Sequence, residues 1–511
     1  MILHPFLFAI FPILFLFARN IEEVTWGHVY VPVLLSLVLA ALLLLLVRIF
    51  MRDWLKSGVV ASVWLLLIFS YGHIYDVIYK LGEGVVWVPH KVLLIVWLVI
   101  LSVAFYLVRK SKVDFKVINR GLNFMAGFLV ALSLINILLH QSPLDVRPTD
   151  SSAQPVGQSA AIDNPDIYFI LLDGYSGQQN LEEFYGYDNS SFLNDLKSRG
   201  FYVADKSLSN YATTRSSLPS ALNMDYLDAL SPTGEAEYVR KNFFVHNELV
   251  NNNAISRLLK DSGYAYIHFG SMWELTAKNP YADINVNKQS LSEFLAILYR
   301  TTAFYPFNYV IGDWLNLDVR QAQWDRIYYQ FEELAKMPDL EVGSPKFIFF
   351  HVGIPHGPYV FNQNGSFVVE EKDPAVGWEH APESYLNQSI FLNRQLIIAI
   401  DSILSQSKQP PVIILWSDHA SRAIVLDKDV DRVADISDVA LRSYFRNFGA
   451  YLLPDNGADE LYKTITPVNI FRVVLNKYFG ANLQLLPDIS YMDTPKSGYK
   501  YEDVTSRVAY E

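Results

Sequence analysis

"NRQLIIAIDSILSQSKQPPVIILWSDHA", residues 393–420, carries two hydrophobic periods in succession. Leu396, Ile397, Ile400, Ile403 and Leu404 recur at spacings of three and four, which gives a helix one apolar face. Pro410 and Pro411 end that pattern. Val412 to Trp416 then run apolar without a polar alternate, as in a strand covered on both sides. The strand stops on Ser417, Asp418 and His419.

The same unit recurs upstream. "NSSFLNDLKSRGFYVADKSL" (189–208) and "NAISRLLKDSGYAYIHFGS" (253–271) each read as a helix followed by a strand. "DIYFILLDGYS" (166–176) and "PKFIFFHVGIPHGPY" (345–359) read as strands that run into turns. Helix and strand in alternation predict an α/β layer fold with a mostly parallel central sheet. In such sheets binding and chemistry collect at the carboxyl ends of the strands.

Residues 1–140 have a different character. Hydrophobic residues make up 51% of the 511-residue chain and charged residues 18%, and the apolar excess sits at this end. Five apolar stretches, near 5–18, 29–47, 58–79, 88–108 and 118–139, predict a transmembrane bundle of about five helices. The first is short and contains Pro12. Trp26, Tyr30, Trp54 and Trp87 fall near span ends, where interfacial aromatics belong. One loop carries Arg48, Arg52 and Lys56, and another Arg109, Lys110, Lys112, Lys116 and Arg120. The positive-inside rule places both in the cytoplasm. The chain is therefore expected to be a multi-pass protein of the cell membrane, with a cytoplasmic N-terminus and an extracytoplasmic domain after residue 140.

The expected organisation is a transmembrane domain over 1–140, a linker over 141–164, a catalytic domain over 165–490 and a C-terminal tail over 491–511. The linker, within "QSPLDVRPTDSSAQPVGQSAAIDNP", is rich in Ser, Pro, Gln and Asp. Beyond residue 140 there are 30 basic and 46 acidic residues. That balance argues against nucleic acid as a partner. The chain has no cysteine, so neither disulfides nor thiolate metal ligands are available.

Three strands end in residues that can do chemistry. The first ends at Asp173, the second at His351 and His356, the third at Asp418 and His419. His351, on an apolar strand, reads as a core histidine. His356 sits in the loop Pro355-His356-Gly357-Pro358, which displays an imidazole without a packing reason. Two aspartates and a histidine offer three oxygen and nitrogen donors of the kind that suit Zn²⁺ or Mn²⁺, and leave a position open. "SNYATTRSSLPSALNMDYL" (209–227) supplies a hydroxyl for it, because a helix starts near Thr214 and a helix N-terminus attracts anions such as phosphate.

These segments together resemble the sulfatase-like branch of the alkaline phosphatase superfamily. Within it, the chain is similar to the membrane enzymes that include phosphoethanolamine transferases and lipoteichoic acid synthases. The resemblance spans nearly all of residues 165–490. "YFILLDGY" matches the first metal-ligand strand and implies Asp173 as a ligand. "TRSSLP" matches the nucleophile helix, in which a threonine precedes a proline by five positions, and so selects Thr214. "PHGPY" matches the loop whose histidine contacts the transferred group, here His356. "SDHASR" matches the Ser-Asp-His-Gly pattern that supplies Asp418 and His419. Arg422, in the same stretch, is a candidate phosphate contact because a guanidinium grips two oxygens at once.

The resemblance implies one divalent metal, Zn or Mn, held by Asp173, Thr214, Asp418 and His419. Thr214 would also be the nucleophile, and His356 would bind substrate and act as acid and base. The expected activity moves a phospho-head group, phosphoethanolamine or phosphoglycerol, from a phospholipid donor to an envelope glycan or lipid. A hydrolase with the same site and a non-catalytic membrane scaffold are the alternatives.

Two departures from the family pattern stand out: Ala420 replaces a glycine, and Asp431 occupies the place of an additional histidine, so a second metal is not expected. True sulfatases use a formylglycine made from Cys or Ser in Cys/Ser-x-Pro-x-Arg. No such signature occurs, and Tyr211 stands four residues before Arg215 where that residue would fall. Residues 272–340 read as a helical insertion near the site that shapes the acceptor pocket, and the aromatics between 303 and 331 read as core or membrane-facing packing.

Overall fold

The computed structural model describes the chain apart from residues 22–23, 82–89, 141–163, 289–291, 308–318, 369–380, 422–429, 495–498 and 511. It divides into two compact units, Met1–Asp145 with Ser290–Val319, and Val146–Gln289 with Arg320–Glu511.

The first unit is built on α1 (His4–Arg19), α2 (Gly27–Met51), α3 (Trp54–Leu81), α4 (His90–Lys110) and α5 (Phe115–His140). The last four are long and apolar enough to cross a membrane, and α1 is shorter at 16 residues. Leu34, Leu35 and Leu42 of α2 and Ile95, Leu98 and Val99 of α4 are exposed side by side. Such an all-round apolar surface is stable only where hydrocarbon covers it.

The stretch 290–319 groups with these helices, although "LSEFLAILYRTT" lies far along the chain from them. Its helix Glu293–Thr301 starts where Ser292 accepts a hydrogen bond from the Leu295 N–H. Phe294 and Leu298 enter the same core as Phe17, Leu65 and Phe69. The Ala303 N–H donates to the Ile68 carbonyl at 2.8 Å. Gly72 makes this approach possible, because a Cβ there would lie 2.3 Å from the Arg300 carbonyl oxygen and 2.7 Å from Thr301 Cα. Gly72→Ala is therefore expected to destabilise this unit by about 1–3 kcal/mol, the usual cost of overpacking. Thermal unfolding in detergent checks it against Gly121→Ala, whose Cβ would meet nothing within 4 Å. Equal melting of the two variants would contradict the packing role of Gly72.

The second unit is an α/β domain whose seven-stranded sheet comprises β1 (Ile167–Leu172), β2 (Tyr202–Val203), β3 (Ala265–Phe269), β4 (Ile284–Val286), β5 (Lys346–Val352), β6 (Val412–Trp416) and β7 (Gly449–Leu452). The order is β2-β7-β6-β1-β5-β3-β4, with β6 through β4 parallel and β7 antiparallel to both of its neighbours. Both faces are covered. Tyr168, Ile170 and Leu172 join one core, which includes Leu396, Ile400 and Ile403 of the helix Pro382–Gln406. Ile167, Phe169 and Leu171 join the other, which includes Leu218 and Leu222 of the helix Thr214–Asn223 and Phe471 of Pro467–Phe479. The apolar runs of β1, β5 and β6 follow from this double burial. Tyr491, Met492 and Tyr501, near the end of the chain, also pack on this domain. Tyr491–Met492 pairs with Glu502–Asp503, and the Tyr501 hydroxyl lies 2.7 Å from Ser216 Oγ.

Candidate metal and nucleophile centre

Three parallel strands deliver the site. β1 lies between β5 and β6, so the turns that follow all three open at one end of the sheet. Asp173 follows β1 directly, and Gly174 turns the chain with φ of +70°, a conformation that favours glycine. Asp418 and His419 follow β6. The two turns clasp each other: the Gly174 N–H donates to Asp418 Oδ1 at 3.1 Å and the Tyr175 N–H to Ser417 Oγ at 2.8 Å. Ser417 Oγ in turn donates to the His419 carbonyl at 2.6 Å. Serine before Asp-His is thus the residue that locks one turn to the other.

Thr214 is the first residue of its helix, and Thr213 holds the cap position. The Thr213 hydroxyl donates to Ser216 Oγ at 3.3 Å and makes no capping bond to the helix backbone. Thr214 Oγ1 lies 3.3 Å from His419 Nε2. Asp418 Oδ2 is 3.4 Å and Asp173 Oδ1 3.8 Å from the same nitrogen. The donor atoms of Asp173, Asp418 and His419 all fall within 4.8 Å of one another.

The residues fit a divalent cation. Asp173 Oδ1 and Asp418 Oδ2 are buried without a hydrogen-bond partner, a costly state for a carboxylate unless a cation answers it. His419 Nδ1 donates to the Ala420 carbonyl at 2.7 Å, which fixes the tautomer and leaves the Nε2 lone pair toward the carboxylates. Burial by itself raises the pKa of Asp173, but His356, His351 and His419 together outweigh it and hold the carboxyl well below the usual range. The acid is therefore ionised at neutral pH, as a metal ligand must be.

The other expected residues fall as follows. The His356 ring stands edge-on to His419 with centroids 6.3 Å apart. The His356 backbone N–H donates to the Asp173 carbonyl at 3.0 Å, and the His356 carbonyl accepts from Gln388 Nε2 at 2.8 Å, so the loop is pinned to both the turn after β1 and the long helix. Arg422 lies outside the described residues. Ala420 is buried and is not among the residues with positive φ, so the site does not need glycine there. Asp431 is not part of the cluster of three, and its carbonyl accepts from the Thr494 hydroxyl at 3.0 Å. Arg215 is buried beside Thr214, and its carbonyl meets the His246 ring.

His351 is fully buried, as its reading as a core histidine expects, and its Nε2, without a hydrogen-bond partner, lies 3.5 Å from Asp173 Oδ2. The signal was its place at the end of β5, in register with Leu171, two residues before Asp173. That register is a pairing no single segment displays.

No protein-family model and no curated protein matches this sequence. Among solved structures, the chain is similar to the C-terminal periplasmic domain of EptC from Escherichia coli in complex with zinc. That match has 11% identity and a TM-score of 0.42, and covers 67% of this chain and 93% of that one. It is similar as well to the periplasmic domain of the phosphoethanolamine transferase EptC from Campylobacter jejuni, at 14% identity and a TM-score of 0.40 over 65% of this chain and 99% of the other. A protein in the alkaline phosphatase superfamily from Vibrio parahaemolyticus matches at 13% identity and a TM-score of 0.38, over 70% of this chain and 79% of that one.

Proposed function

We propose that this chain is a membrane-anchored, metal-dependent phosphotransferase that uses Thr214 as its nucleophile. The observation that carries the reading is the convergence of Thr214 Oγ1, Asp418 Oδ2 and Asp173 Oδ1 on His419 Nε2, at 3.3, 3.4 and 3.8 Å. Asp173, Thr214, Asp418 and His419 would hold the cation, Zn²⁺ or Mn²⁺ by the chemistry of the donors. When bound, such a cation lowers the pKa of a hydroxyl and offsets charge on phosphoryl oxygens.

The chain's own residues then divide the work. Thr214 Oγ1 forms a bond to phosphorus as the bond from phosphorus to the diacylglycerol oxygen breaks, and the threonine proton leaves with that oxygen. A helix N-terminus favours the anionic group so placed. In the second half-reaction His356 takes the proton of an acceptor hydroxyl, whose oxygen bonds to phosphorus as the bond from phosphorus to Thr214 Oγ1 breaks, and that proton passes to Thr214 Oγ1 to restore the hydroxyl. Arg422 would grip the phosphoryl oxygens. Phosphoethanolamine or phosphoglycerol is the group carried, a membrane phospholipid the donor, and an envelope glycan or lipid the acceptor. Five crossings by α1 to α5 would keep such a domain at a lipid source, with the N-terminus cytoplasmic and the domain outside.

The test is an intact-mass spectrum of the full chain in detergent, mixed with Mn²⁺ or Zn²⁺ and short-chain phosphatidylethanolamine or phosphatidylglycerol. An adduct on wild type and none on Thr214→Ala is the expected result, and its mass names the group carried. Head group released without an adduct on either protein would replace transfer through threonine by direct hydrolysis.

A further inference from the structure

Asp173 offers only one of its oxygens to the proposed cation, and its other oxygen faces His351. Asp173 Oδ2 lies 3.5 Å from His351 Nε2, while Oδ1 is left toward His419. Behind the imidazole runs a chain of hydroxyls. Thr276 Oγ1 is 2.8 Å from His351 Nδ1, and Ser271 Oγ is 2.7 Å from Thr276 Oγ1. The Trp273 N–H donates into Ser271 Oγ at 3.0 Å, and the Trp273 ring stands edge-on to the His351 ring at 6.3 Å. His351, Thr276 and Ser271 are each buried to within 2% of completely, so no bulk water competes for these contacts.

Only one direction of hydrogen bonding suits this row. If Thr276 donated to Ser271, His351 Nδ1 would carry the proton and the Nε2 lone pair would face a carboxylate. The opposite direction has Ser271 donate to Thr276 and Thr276 to Nδ1, and it aims His351 Nε2–H at Asp173 Oδ2 across 3.5 Å, an electrostatic contact longer than a hydrogen bond. Each hydroxyl and Nδ1 then meets its complement, and Nε2, which has no hydrogen-bond partner, turns an N–H rather than a lone pair toward the carboxylate. The Gln330 amide donates to the His351 carbonyl at 3.0 Å, and the Asp173 N–H to the Val352 carbonyl at 3.3 Å, so backbone as well as side chain hold the pair in place.

We propose that His351, its tautomer set by Thr276 and Ser271, is the positioning residue of the metal centre: it fixes the rotamer of Asp173 so that Oδ1 faces the cation. The inference rests on the metal site of the proposed function. An imidazole N–H that faces a ligand's outer oxygen restrains the ligand without adding one, and loss of such a partner typically costs ~10–100-fold in metal affinity.

The test is Zn²⁺ and Mn²⁺ affinity of the full chain in detergent, read by competition with a chelating dye. His351→Leu is expected to weaken binding ~10–100-fold, and His351→Gln, whose amide N–H can replace Nε2–H, to regain most of the loss. Thr276→Val keeps the shape, removes the hydroxyl and should weaken binding less than His351→Leu. It also serves as the second variant if leucine prevents folding. Wild-type affinity in a folded His351→Leu or, failing that, in Thr276→Val overturns the inference and leaves the metal site standing. A wild type that binds neither metal overturns both.

Discussion

Thr214→Ala is expected to abolish turnover, by on the order of 10⁴-fold or more, while the fold stays intact and metal affinity falls only in part. The asymmetry follows from where the residue sits. Thr213, and not Thr214, holds the cap position of the helix, so alanine at 214 removes no capping residue and should cost less than about 1 kcal/mol of stability. Asp173, Asp418 and His419 also keep their three donor atoms within 4.8 Å of one another. What is lost is the proposed nucleophile, the hydroxyl oxygen 3.3 Å from His419 Nε2. Thr214→Ser restores an oxygen at the same position without the methyl group that fixes its rotamer, and should recover activity to within ~10–100-fold of wild type. Steady-state release of head group, beside the melting temperature of each variant, checks the pair. If Thr214→Ala stays within a few-fold of wild type, threonine is not the nucleophile and water must attack directly.

The parts of this molecule that one stretch of sequence can encode were legible in it. β1, β5 and β6 announce themselves because each is apolar on both faces, and both faces meet a helical layer. The Asp-Gly after β1 and the Ser-Asp-His after β6 stand where those apolar runs stop, so the turns at the end of the sheet could be placed without coordinates. Two features were not legible, for one reason: each depends on what lies beside a segment rather than within it. His351 looks like any buried histidine until β5 is set against β1 and its ring meets Asp173. The helix Glu293–Thr301 was read as part of an insertion in the outer domain. Its grouping with α3 depends on Gly72, more than two hundred residues earlier, which has no side chain to hold Arg300 and Thr301 away. The threonine pair belongs to a third class: the spacing to Pro219 selects Thr214, and the structure adds that Thr213 holds the cap position while Thr214 Oγ1 lies 3.3 Å from His419 Nε2.

Asp418→Asn should remove metal binding with the least disturbance to the protein that holds it. Asp418 is fully buried, and its Oδ1 accepts the Gly174 N–H at 3.1 Å. An asparagine oxygen can keep that bond and with it the clasp between the two turns. The amide nitrogen then takes the place of Oδ2, 3.4 Å from His419 Nε2. That nitrogen is a donor, and the His419 lone pair, fixed by the Nδ1 bond to Ala420, is its natural acceptor. One substitution thus removes a charged ligand, blocks a second and satisfies both buried groups with each other. The metal-free variant should therefore melt at or above the temperature of metal-free wild type. Zn²⁺ at a hundred times its wild-type Kd should stabilise wild type by about 2.7 kcal/mol and the variant not at all. Thermal unfolding of both proteins with and without the metal separates the two effects. If the zinc-dependent rise survives in Asp418→Asn, the cation sits elsewhere and Asp418 is only the acceptor that ties Gly174 in place. If the metal-free variant instead melts far below wild type, the buried carboxylate is a structural anion, and the fit of these donors to a metal would need another explanation.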